Sequence, residues 1–119
     1  DRRGGTGRDV WGDASLTGGG ADFRIGGGKG AQYEATVTTR GSGYLVAWTD
    51  TRNGNPDVYT SRVSAAGVVS EPSGVAAARS SVAEFAPALA SGSGNKQLLV
   101  YTKSGSAGAP DRINLRMIG

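Results

Sequence analysis

"YLVAWTDTRNGNPDVYTSRV", Tyr44 to Val63, decides how the chain is read. Two runs of alternating β-branched, aromatic and polar residues flank a polar loop with Asn53-Gly54 at its centre, the pattern of a β-hairpin. The loop gathers Asp50, Arg52, Asn53, Asn55 and Asp57 within eight residues, so it reads as a turn or as a site. As a turn, Asp50 accepts backbone N–H groups, Arg52 pairs with it, and Asn-Gly supplies positive φ. As a site, Asp50, Asn53, Asn55 and Asp57 offer oxygen ligands of the kind calcium prefers, with Asp50 and Asp57 as the acidic pair, or a polar surface for a sugar. Against a cation stand the lack of EF-hand spacing and the loop's own cation, Arg52.

Outward from this hairpin the chain repeats. "DVYTSRV" at 57–63 has counterparts in "DVWGDAS" at 9–15 and "RINLRMI" at 112–118; aligning Asp9 with Asp57 gives a step of 48, and Arg62 with Arg116 a step of 54. "GYLVAWTD" at 43–50 matches "KQLLVYTK" at 96–103, with Trp48 on Tyr101 at a step of 53. "ATVTTRGSG" at 35–43 matches "PALASGSGN" at 87–95, and "ADFRI" at 21–25 matches "PSGVA" at 72–76, a step of 50 between Ile25 and Val75. The opening "DRRGGTGRDV" is the loop "DTRNGNPDV" with one residue inserted, which adds Asp1, Arg3 and Asp9 to the ligand-binding candidates.

These steps define a unit of about fifty residues with four strands: a (32–38), b (43–49), c (57–64) and a short irregular d (67–76). The chain then reads c-d, a-b-c-d, a-b-c. Residues 1–31 are the second half of a unit plus a connector, 32–84 a complete unit with its connector, and 85–119 a partial one. No window keeps helical spacing, and the one helix candidate, "EPSGVAAARSSVAEFAPALA", is bracketed by Pro72, Gly74 and Pro87 and reads as strand ends and a connector. The expectation is an all-β chain of β-propeller blades, four antiparallel strands each, in an incomplete ring; a two-layer β-sandwich or an extended β-filament are the alternatives. Ala35, Val37, Leu45, Ala47 and Leu99 are expected to pack between units, as are Trp11, Trp48, Tyr59 and Tyr101, which fall at equivalent strand positions.

Residues 44–76, "YLVAWTDTRNGNPDVYTSRVSAAGVVSEPSGVA", resemble the repeat unit of secreted and cell-surface β-propeller proteins of bacteria, common in myxobacteria. Those units run as an apolar strand ending in Trp, Asp-x-Arg-x-Gly, an Asp-aromatic strand ending in Arg-Val, a Gly-Val turn and Pro-x-Gly. The resemblance implies the propeller fold and an extracellular or cell-surface location. In the third unit Lys103 replaces Asp50, "SGSAGAP" replaces "TRNGNP" and Ile113 replaces Tyr59, so a ligand site common to all units is not expected.

Composition narrows the chemistry. The 119 residues include 21 Gly, no Cys and no His, which removes disulfides, thiolate metal sites, a cysteine nucleophile and the commonest general base. A net charge of +3 arises from 13 Lys and Arg scattered among 10 acidic residues, a solvated surface rather than a nucleic-acid patch. No apolar run approaches the roughly 20 residues of a membrane span. The opening "DRRGG" lacks a Met or a signal peptide, so Asp1 is not expected to be the start of the gene.

Three short motifs fail on context. Gly26-x-Gly28-x-x-Ala31 resembles a dinucleotide fingerprint, but the strand "QYEATVTT" follows where a helix N-terminus is needed. Lys29 is followed by Gly30, where a P-loop needs Ser or Thr. Ser93-x-x-Lys96 sits in a Gly-Ser hairpin rather than on a helix. Glu34, Glu71 and Glu84 are too scattered to pair for glycoside hydrolysis. The sequence therefore predicts a non-enzymatic structural and interaction module, for adhesion or assembly, with no cofactor. Its partners would be other propeller blades or chains. The alternative is a carbohydrate-binding or glycan-processing propeller, lectin- or sialidase-like, with its site completed by other blades; it would need an arginine and carboxylate cluster at the central channel, which Arg40, Arg52 and Arg62 could join only if their loops fall on one face.

Overall fold

A computed structural model describes residues 8–13, 22–27, 29–105 and 108–119, except for the side chains of Asp13 and Asp22. The described residues form nine strands and no helix: β1 Val10–Asp13, β2 Asp22–Gly26, β3 Gln32–Arg40, β4 Gly43–Asn53, β5 Asn55–Val63, β6 Val75–Ala78, β7 Glu84–Ser91, β8 Gln97–Lys103 and β9 Arg112–Ile118. They form three antiparallel sheets, β1-β2, β3-β4-β5-β6 and β7-β8-β9. The protein is all-β.

The central hairpin shows why. Trp48 faces Tyr59, Val46 faces Ser61 and Asp50 faces Asp57 across the β4–β5 ladder, so these side chains share one face and Leu45, Ala47 and Thr49 share the other. All six residues from Leu45 to Asp50 are buried, which requires cover on both faces. The first face packs on the β1-β2 sheet, joining Val46, Trp48, Tyr59 and Val63 to Val10 and Ile25. The second packs on the third sheet, joining Ala47, Val58 and Ala78 to Leu99 and Tyr101. Trp48 fits because two glycines approach it: a Cβ on Gly26 or on Gly74 would lie 2.5 Å from its ring. Gly54, at φ 94, closes the β4–β5 turn in a conformation that favours glycine.

The sheets share their irregularities. β3 breaks register between Tyr33 and Thr36 and β7 between Phe85 and Ala88. The β1–β2 ladder skips a residue of β2 at Val10/Trp11, and the β5–β6 ladder skips one of β6 at Val58/Tyr59. Matching ladders puts Asp9 on Asp57 and Trp48 on Tyr101, as the sequence predicted.

Four sequence expectations are corrected. The β8–β9 ladder pairs Leu98 with Met117 and Tyr101 with Asn114, so Met117 is the counterpart of Arg62, a step of 55 rather than 54, and Asn114, not Ile113, replaces Tyr59. The longer β8–β9 connection absorbs the extra residue, which leaves no trace in composition. Phe23, not Ile25, corresponds to Val75, because both ladders carry the same skipped residue. Strand d runs over 75–78 rather than 67–76: turns held by Gly67 N–H on Ser64 O and Gly74 N–H on Glu71 O occupy the earlier residues, which contribute only a bridge from Val69 to Val63. Finally, Leu45, Ala47 and Leu99 are buried as expected, but Ala35 and Val37 are exposed beside a groove between the first two sheets.

Candidate functional site at the β4–β5 loop

Hydrogen bonds tie most of the loop's polar side chains to one another. Beyond Asp50–Asp57 the ladder shifts register and resumes at Asn53–Asn55. Asp50 is fully buried at this break. Its Oδ1 accepts from the Arg52 backbone N–H and from Arg52 Nε, each at 2.9 Å. Its Oδ2 accepts from Trp48 Nε1 at 3.0 Å and from Arg52 Nη2 at 2.6 Å. Each carboxylate oxygen thus serves two donors, and the Arg52 fork is bidentate. The guanidinium lies 4.0 Å from the Tyr59 ring centroid. Its hydrogen bond to Asp50 raises its pKa above the ordinary value, against an opposing effect of partial burial.

The remaining candidates complete the turn or leave it. Asn53 Nδ2 donates to the Tyr59 hydroxyl at 3.0 Å and to Asp57 Oδ2 at 3.3 Å. Asn55 Nδ2 donates to the Ser81 carbonyl, on the connector to β7. Thr51 holds the connector to β3, accepting on Oγ1 from Ala31 N–H at 2.8 Å and donating its own N–H to Ala31 O at 3.0 Å. Asp57 is buried, and no described group donates to its Oδ1; Gln32 Oε1, in the same row of the sheet, is in the same position. Asp9 is buried and paired with Arg24 at 3.8 Å. Asp1, Arg3 and Gly28 lie outside the described residues.

A cation at Asp50 would have to displace Arg52, since all four hydrogen bonds to that carboxylate are made. Among the described residues no three acidic side chains come together as metal ligands. Arg40, Arg52 and Arg62 do not meet the condition of falling together. Arg40 and Arg62 lie toward the Gly43 end of β4, and Arg52 lies at its opposite end. Each is engaged locally: Arg40 with Gln97 Oε1 at 2.6 Å and Asn95 O at 2.9 Å, Arg52 with Asp50, and Arg62 with Glu71 at 2.7 Å.

Sequence reasoning missed the junction between the second and third sheets. Ala86 N–H donates to Thr49 Oγ1 at 2.9 Å and to Glu34 Oε1 at 3.2 Å, and Thr49 donates its hydroxyl to the same Glu34 oxygen at 2.8 Å. Arg40 and the buried Gln97 form a second tie, with Gln97 Nε2 reaching Thr39 O at 3.5 Å. The only sequence signal was the alignment of β3 with β7; that both strands bulge there is not encoded in residue type. No protein-family model, curated protein or solved structure matches the chain.

Proposed function

We propose that the chain is a run of β-propeller units acting as a non-enzymatic structural and interaction module, completed by further units of the same kind. One observation carries the reading: successive sheets repeat the same defects and pack by the same pair of faces. A bulge in strand a and a skipped residue between strands c and d recur at matched positions. Units that repeat with their irregularities and bury one neighbour on each face build arrays or rings. The loop chemistry supports a structural role, because Asp50, Thr51, Asn53 and Asn55 hold Trp48, Tyr59 and the connectors. A location outside the cell or at a bacterial surface rests on the resemblance of residues 44–76 alone.

A glycan array tests this against the lectin alternative. The module reading expects no saturable glycan binding. Binding that is lost in a folded Arg52→Ala variant would replace it with a carbohydrate-recognition role.

A further inference from the structure

The outward face of the third sheet is apolar, and no described residue covers it. Ile113, Leu115 and Met117 alternate along β9 and are 71%, 68% and 59% exposed. Val100 and Leu98 are the ladder partners of Leu115 and Met117 and extend the same face. An apolar surface of this kind marks an interaction site.

The ladders say what belongs there. Leu98, Val100, Ile113, Leu115 and Met117 are the counterparts of Leu45, Ala47, Val58, Thr60 and Arg62. In the central sheet the first four of those are buried, with Ala47 and Val58 against Leu99 and Tyr101 of the next sheet. One continuous segment, residues 64–103, does the covering: its β6 pairs along the edge of β5, and its β7 and β8 lie on the face. Among the described residues β9 has neither an edge partner nor a covering hairpin.

We propose that the edge and outer face of β9 take a segment of that same form, a short edge strand followed by an apolar hairpin, continuing the same polypeptide beyond β9. The proposal rests on the repeat reading given above. A second copy of this chain is a poorer fit, because the outward side of its β1-β2 sheet carries the half-exposed Arg24, a charge that would be desolvated against Leu115 and Met117. A free strand edge beside an apolar face is also what strand addition uses.

The test extends the full chain after Gly119 with a second copy of residues 65–119, since the ladders align Ile118 with Val63. Amide exchange over Arg112–Ile118 is then expected to slow by about tenfold or more relative to the 119-residue chain. Ile113→Lys with Leu115→Lys in the first copy should abolish the slowing, while leaving the melting transition of the 119-residue chain unchanged. Unchanged exchange overturns the proposal, as does an appended segment that stays unfolded, since β9 is the template on which it should fold. Slowing that survives both lysines overturns the role of the face. Protection of β9 in a self-dimer of the 119-residue chain would assign the surface to a second copy instead. An open array that never closes into a ring would still slow exchange at β9, so this proposal and the propeller reading fail separately.

Discussion

Glu34 and Ala86 hold the same left-handed backbone, φ 56 and φ 54, at the same bulge of β3 and β7, and the Glu34 carboxylate accepts the Ala86 N–H at 3.2 Å. One unit's bulge is therefore anchored by the side chain at the preceding unit's bulge. Left-handed backbone costs a non-glycine residue roughly 1–2 kcal/mol, so both positions are strained and held by their surroundings.

Ala86→Gly should stabilise the protein by about 0.5–1 kcal/mol, the relief of strain exceeding the added chain entropy of glycine. Glu34→Ala should act oppositely, costing about 1–2 kcal/mol, because Thr49 alone is left to hold the Ala86 amide. Urea unfolding measures both, and exchange at the Ala86 amide should accelerate only in Glu34→Ala.

Trp48 sits between Gly26 and Gly74 with no room for a methyl group on either. Gly26→Ala should cost about 1–3 kcal/mol by overpacking. Combining it with Trp48→Phe should cost less than the sum of the two single changes, since the smaller ring frees the space. Strict additivity in that double-mutant cycle would contradict the packing described.

The two aspartates of the β4–β5 loop should behave differently although the sequence treats them alike. Arg52→Ala leaves the buried Asp50 carboxylate without its charge partner and should cost about 3–5 kcal/mol. Asp57→Asn removes a buried charge whose Oδ1 meets no described donor, so it should stay within about 1 kcal/mol of the parent. Calcium should leave the melting temperature of the parent unchanged. A calcium-dependent rise that Asp57→Asn abolishes would instead make Asp57 a cation ligand.

Arg62 donates to Glu71 from its backbone N–H and its guanidinium, and this holds the Glu71 carboxyl below its ordinary value of 4.5. A depressed carboxylate contributes stability above the ordinary value and loses it as the pH falls through the lowered one. Glu71→Gln should therefore be modestly less stable than the parent at neutral pH, with the two urea midpoints converging as the pH is taken below about 4.5. Arg62 lies at the surface, so added salt should narrow the difference at neutral pH.

The strands and their order were legible because period-2 alternation and the Asn53-Gly54 and Gly-Ser turns are local signals. The repeat was legible because Trp48 and Tyr101 fill the same packing role, each buried against the preceding sheet. Register was not: Arg62 aligns with Arg116 by identity, but a one-residue slip sends a side chain to the opposite face, and the ladder puts Met117 there. At the loop, residue types showed that Asp50 and Arg52 could pair. They could not show that Trp48 Nε1 fills the last position on that carboxylate, nor that Asn55 reaches past the loop to Ser81. The Glu34–Thr49–Ala86 junction stayed hidden because it depends on backbone conformation at two bulges.

Native mass beside denaturing mass of the protein isolated from its natural source decides whether these sheets are part of a larger assembly of like units. Such an assembly should give a denaturing mass well above the 12.0 kDa of these residues, or a native mass that is a multiple of it. A folded monomer of 12.0 kDa would contradict it.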